Sequence, residues 1–138
     1  MTRQINIESI ARELKHTFPE ILFAFLYGSS RDGTLMPGSD IDLAIYFEEK
    51  ASKTDLIPRI IELIESHHSS ITCDLTILNT ANPLIAFEAL RGKLLFIRDE
   101  YVEVYADFYS LTCRLSEDQK WFMKKQLEYR GYDVQWDY

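Results

Sequence analysis

Apolar residues follow two periods along this chain, one helical and one strand-like. Ile7, Ile10, Ala11 and Leu14 recur at helical spacing behind Asn6, a residue type that caps helix N-termini. A first helix is therefore expected to end near Phe18-Pro19. Residues 21–27 form an unbroken apolar run, the pattern of a buried strand, and residues 40–47 form a second strand. Beyond a polar connection over residues 48–53, Leu56, Ile57, Ile60, Ile61, Leu63 and Ile64 predict a helix. Thr54 is its expected cap, and Pro58 is placed in the first turn, where a missing N–H costs little. Residues 67–70 read as a loop, 71–78 as a third strand, 83–90 as a short helix closed near Gly92, and 93–97 as a fourth strand. Asp99 is placed as the cap of a helix reaching about Arg114. Ser116-Glu117-Asp118-Gln119 is a capping-box pattern that predicts one more helix, ended by Gly131 before an aromatic, acidic tail. The order α-β-β-α-β-α-β-α-α predicts one α/β (α+β) domain over residues 1–138: a small mixed sheet, flanking helices and a helical C-terminal part.

Composition narrows the reading. At 138 residues and 46% hydrophobic, the chain can bury one real core. A net charge of −7 argues against non-specific binding to nucleic acid, which needs a basic face. It does not exclude MgATP, whose metal and a few local donors neutralise the phosphates. No apolar run approaches the roughly 18 residues of a membrane span, and the N-terminus lacks the basic-then-apolar pattern of a secretory signal. Cys73 and Cys113 lie in apolar segments without metal-ligand spacing, so both read as reduced core residues of a cytoplasmic protein. Tyr101, Tyr105, Phe108 and Tyr109 at helical spacing read as packing residues rather than a base-stacking platform. Glu117, Asp118, Glu128, Asp133 and Asp137 with Trp121 and Trp136 form either a charged surface or a face for a basic partner.

The candidate chemistry lies between the first two strands. The run Phe23-Ala24-Phe25-Leu26-Tyr27 breaks at Gly28-Ser29; ten residues later comes Asp40-Ile41-Asp42. Strand side chains alternate, so Asp40 and Asp42 share a face, about 7 Å apart along the backbone. Two carboxylates side by side on an apolar strand repel each other, and a divalent cation between them relieves that repulsion. The Gly-Ser turn offers N–H groups and a hydroxyl that suit phosphate oxygens. Asp74, inside Thr72-Cys73-Asp74-Leu75-Thr76, is costly to bury unless paired or bound to metal. If the second and third strands are neighbours, Asp74 completes a three-carboxylate set. Such a set can hold two Mg²⁺ about 4 Å apart, clamp an α-phosphate and activate a hydroxyl. Asp74 is then the general base or the ligand of the metal that holds the nucleophile. His67 and His68 have no other ligand-type residues around them. There is no Walker A lysine motif and no Rossmann glycine fingerprint.

Gly28-Ser29, the ten-residue gap, Asp40-Ile41-Asp42 and a later strand Asp74 resemble the DNA polymerase beta-like nucleotidyltransferase superfamily, over about residues 5 to 100. The short length resembles its minimal nucleotidyltransferase (MNT) branch. The resemblance implies the polymerase-beta-like fold, with residues 1–98 as catalytic core and 99–138 as a helical extension. It implies Asp40, Asp42 and Asp74 as catalytic metal ligands, with Mg²⁺ or Mn²⁺ as the ion and ATP as substrate. It implies Gly28, Ser29, Arg31 and Ser39 as the nucleotide contacts. The family loop usually reads Gly-Ser-x-Ala-Arg-Gly, whereas this chain has Gly28-Ser29-Ser30-Arg31-Asp32-Gly33. The basic residue stands one place early, and an acid takes its usual position. That difference bears on triphosphate affinity and leaves the metal site alone.

Minimal nucleotidyltransferases of this size are commonly MntA-type antitoxins beside HEPN ribonuclease toxins, and transfer AMP from ATP to a toxin tyrosine. The resemblance thus implies an antitoxin-type protein adenylyltransferase with a HEPN toxin as partner. A small-molecule nucleotidyltransferase of antibiotic-modifying type is the alternative, although those enzymes usually carry a larger C-terminal domain than the roughly 40 residues after Ile97. A non-catalytic antitoxin acting by contact alone is a second alternative.

Overall fold

In a computed structural model, residues 3–36, 38–68 and 71–132 are described; the tail residues Asp133, Trp136 and Asp137 and the loop residues Ser69 and Ser70 lie outside them. Strands β1 (Arg3–Gln4), β2 (Ile21–Tyr27), β3 (Thr34–Leu35), β4 (Ile41–Phe47), β5 (Cys73–Ile77) and β6 (Lys93–Ile97) alternate with helices α1 (Ile7–Thr17), α2 (Lys53–His67), α3 (Pro83–Leu90) and α4 (Val102–Tyr129). The main sheet has the order β5-β4-β2-β6. β2 runs antiparallel to β4 and β6, and β5 runs parallel to β4 through the α2 crossover. The sheet is mixed, as expected.

Alternation along the strands sorts side chains onto two buried faces. Ala24, Leu26, Leu43, Ile45 and Phe47 pack with Ile10 and Leu14 of α1 and Ile60 and Ile64 of α2. Phe23, Phe25 and Ala44 face the other way, against Ala86 and Ala89 of α3 and Tyr105 and Phe108 of α4. Phe23 stacks on Tyr46 with centroids 4.7 Å apart and meets Tyr105 edge-on at 5.1 Å and Phe108 at 5.5 Å, which makes Tyr105 and Phe108 of α4 packing residues. Tyr109 is half exposed.

Four sequence expectations about the helices change. Asn6 caps α1 as expected, accepting from the Ser9 N–H at 3.0 Å. For α2, Ser52 rather than Thr54 is the cap residue, so the helix begins at Lys53. Pro58 consequently falls in the second turn, inside the helix rather than in its first turn. The capping box at Ser116 opens no helix. α4 is continuous over 28 residues, about 42 Å. No glycine or proline interrupts residues 102–130. The buried Ser116 hydroxyl is satisfied instead by donating to the Cys113 carbonyl one turn back, at 3.0 Å. Nor does Asp99 cap a helix directly: residues Asp99–Tyr101 form a 3₁₀ turn leading into α4. The expected stop is where the sequence puts it. Gly131 has φ +92°, and the Gly131 and Tyr132 N–H groups return to the Glu128 and Leu127 carbonyls.

Two additions escape periodicity. β1 and β3 pair antiparallel as a separate two-residue ribbon. At the far end of the β4–β5 ladder, the Asn79 side chain imitates a strand residue: it accepts from the Phe47 N–H and donates to the Phe47 carbonyl, both at 2.9 Å.

Candidate active site

The site lies at one end of the sheet, on the face shared with α3 and α4. Ile41, Leu43 and Ile45 of β4 point into the α1–α2 core, so Asp42 points to the opposite face, and Asp40 just before the strand shares it. In the parallel register Asp42 lies opposite Asp74 and Ala44 opposite Thr76. In the antiparallel register Tyr27 lies opposite Asp42. One row across three strands therefore reads Tyr27, Asp42, Asp74. The conditional step in the sequence reading, that these strands be neighbours, is met.

The charges in this row are strained. Burial, then Asp74, then Asp40 raise the Asp42 carboxyl above its ordinary value. The neighbouring Cys73 points the other way, into the core, and its thiol is pushed up to about 12, chiefly by burial and then by Glu65 and the same aspartates. It stays protonated and is no nucleophile. Asp40 accepts from the Thr72 hydroxyl at 2.8 Å.

Residues Gly28–Ser30 form a 3₁₀ turn directly after β2. Gly28 has φ +64°, and a Cβ placed on it would lie 2.6 Å from Oδ2 of Asp42. Only a residue without a side chain lets the turn close on the carboxylate. Ser30 is fully buried; its hydroxyl donates to the Tyr27 carbonyl at 3.0 Å and accepts from the Asp42 N–H at 3.1 Å. This one side chain fastens the turn to the strand that carries Asp42. Ser29 and Arg31 are exposed, and Ser39 is half-buried with its N–H bound to the Met36 carbonyl at 3.0 Å. Asp32, the acid in the usual place of the family's basic residue, accepts from the Thr34 N–H at 2.9 Å and so serves the turn into β3.

The family model described as polymerase beta, nucleotidyltransferase, matches residues 8–101. The chain belongs to the polymerase beta nucleotidyltransferase family. Comparison with the curated proteins gives no match. Among solved structures, this nucleotidyltransferase is similar to a chain of the toxin-antitoxin MntA-HpeT bearing two aspartate-to-glutamate substitutions, with TM-score 0.67 and 18% identity over 89% of this chain and 99% of that one. A toxin-antitoxin crystal structure with AMP-PNP follows at TM-score 0.66 and 19% identity, over 89% and 99%. A tri-AMPylated Shewanella oneidensis HEPN toxin in complex with MNT antitoxin gives TM-score 0.60 and 18% identity, over 88% and 95%. At these identities the likeness is one of fold, and the fold is the expected polymerase-beta-like one.

Among the described residues of the nucleotidyltransferase, no three His, Cys, Asp or Glu side chains converge closely enough to hold a metal ion. Asp42 and Asp74 stand side by side, while Asp40 is engaged by Thr72. The donor chemistry nonetheless fits a divalent cation: hard carboxylate oxygens, and mutual repulsion that a cation relieves. Two cavities of about 420 and 610 Å³ open at the other end of the sheet, both lined by Tyr46 and Asn79, and neither touches the carboxylates. Sequence reasoning missed Ser30, Tyr27, Thr72 and Thr76. The Tyr27 hydroxyl lies 2.7 Å from the Thr76 hydroxyl, and its signal was the alternation that puts residues 72, 74 and 76 on one face.

Proposed function

We propose that this nucleotidyltransferase is an antitoxin that adenylylates a partner protein: it transfers AMP from ATP to a hydroxyl, in the first instance a tyrosine, of a HEPN-type toxin, and releases pyrophosphate. The observation that carries the reading is the row of Asp42 and Asp74 in register beside Asp40, with the Gly28 turn closed onto Asp42. The likeness in fold to MNT antitoxin and AMP-PNP-bound toxin-antitoxin structures supports ATP and a HEPN partner.

In this reading Asp40, Asp42 and Asp74 hold Mg²⁺, two ions in the full complex, with Mn²⁺ as a substitute. When bound, the metal supplies charge neutralisation at the α-phosphate and an acidified acceptor hydroxyl. Gly28 lets the backbone N–H groups of the turn approach the terminal phosphates. Ser29 offers its exposed hydroxyl to them, with Arg31 and Ser39 at the margins. Asp74, on the edge strand, accepts the proton of the incoming hydroxyl or holds the ion beside it. No described helix is long and apolar enough to cross a membrane.

A second reading, neutralisation by contact alone, has its own support. Trp121, Phe122 and Met123 on α4 are 55%, 57% and 38% exposed, a surface suited to a protein partner. Intact mass spectrometry of the partner after incubation with MgATP separates the two. AMP-sized increments that vanish with Asp40→Asn or Asp42→Asn establish transfer. A stable complex without increments moves the assignment to binding.

A further inference from the structure

β5 is an edge strand, held along its length by β4 alone among the described strands. It carries Asp74 directly opposite Asp42, and like charges in directly opposed strand positions repel. Something has to oppose that push. Two side-chain ties do so, and they bracket Asp74 on its own face. At residue 72, two before the aspartate, the Thr72 hydroxyl donates to Asp40 at 2.8 Å. At residue 76, two after it, the Thr76 hydroxyl is bound by Tyr27 at 2.7 Å. Tyr27 belongs to β2, so its side chain spans β4, where Ala44 opposite Thr76 leaves room for the ring.

We propose that Tyr27 and Thr72 are positioning residues: through Thr76 and Asp40 they clamp the edge strand β5 and set the gap between Asp42 and Asp74 that a divalent cation bridges. The inference rests on the metal-binding part of the proposed function. Neither hydroxyl touches the ion; each fixes the backbone beneath a ligand, as outer-shell groups do in metal sites, where their loss typically lowers affinity about 10- to 100-fold.

Two measurements on the full chain test this. In the first, Mn²⁺ binding without nucleotide is followed by electron paramagnetic resonance. Tyr27→Phe and Thr72→Val should each weaken binding about tenfold, and Thr72→Ser, which keeps the hydroxyl, should restore it. Wild-type affinity in Tyr27→Phe and Thr72→Val overturns the proposal. In the second, amide hydrogen exchange is measured on metal-free protein. The same two variants should speed exchange across residues 73–77, and adding Asp42→Asn, which removes the repulsion, should cancel the increase. Unchanged exchange overturns the clamp whatever the metal does. If the parent binds no Mn²⁺, or Asp42→Asn/Asp74→Asn binds it equally well, the metal reading and the cation half of the proposal fall, while the exchange experiment still decides the clamp.

Discussion

Gly28 and Asp42 stand so close that no side chain fits between them: a Cβ on Gly28 would meet the Asp42 carboxylate oxygen at 2.6 Å. The turn after β2 and the strand that carries Asp42 thus meet at a single hydrogen-for-methyl decision. Gly28→Ala adds a methyl and also places alanine at φ +64°, a left-handed backbone that costs about 1–2 kcal/mol. The expected outcome is a modest loss of thermal stability together with a fall in AMP transfer of about 10² or more, because Asp42 must move. A variant that melts lower but transfers AMP at the parental rate would show that Asp42 does not depend on this contact.

Ser29 and Ser30 are adjacent and have opposite surroundings: Ser29 is exposed and Ser30 is fully buried. Ser30→Ala leaves the Asp42 N–H without its acceptor in a buried place, at a cost of about 1–3 kcal/mol. Ser29→Ala removes an exposed hydroxyl and should leave the urea midpoint unchanged while raising KM for ATP about tenfold, the scale of one bond to a charged phosphate. Chemical denaturation and steady-state kinetics on the pair check the division; reversed roles would relocate the phosphate contact.

The raised carboxyl of Asp42 predicts a pH dependence. Burial, Asp74 and Asp40 make the folded chain hold that proton more tightly than the unfolded chain does. Its favourable contribution is therefore complete below the ordinary value of 3.8 and is lost as pH rises through the raised value. In chelator, Asp42→Asn should melt higher than the parent at about pH 7. The difference should shrink on acidification and disappear below 3.8. A pH-independent difference would assign the effect to something other than charge.

Arg98, just after β6, ties three elements together. Its guanidinium donates to the Ile21 carbonyl at 2.6 Å and to the Lys15 and Phe18 carbonyls at 2.7 and 2.9 Å, at the negative end of α1. Arg98→Ala should cost about 2–3 kcal/mol of unfolding free energy. Arg98→Lys should recover a minority of it, since an ammonium cannot reproduce the planar fork. Urea titrations of both variants measure this.

How much of this was legible in the sequence varied with the kind of signal. β2, α3 and β6 were readable to the residue: β2 is an unbroken apolar run, and Gly92 separates the short helix from the strand that follows. Asp40, Asp42 and Asp74 were readable as residues, and their shared face followed from alternation; their adjacency waited on the pairing of β4 with β5. Ser116 misled because a capping box is a local signal, and an equally local back-bond to Cys113 satisfies the same hydroxyl inside a continuous helix. Ser30 was hidden because two consecutive serines look alike until the turn's geometry sends one inward and leaves the other in water. The ribbon of β1 and β3 was beyond reach, since two-residue strands have no period.

The Asn79 amide on Phe47 has a consequence for the aspartates. In a strand, odd and even positions have opposite fates: here Cys73 is core, and Asp74 is exposed on the other face opposite Asp42. If β5 slid by one place against β4, the two fates would swap, a thiol would face Asp42, and the acid would be driven into the apolar interior. Asn79, five residues past Asp74, makes such a slide cost two hydrogen bonds at once. It is a parity check at the far end of the sheet, and which side chain of β5 stands opposite Asp42 depends on it.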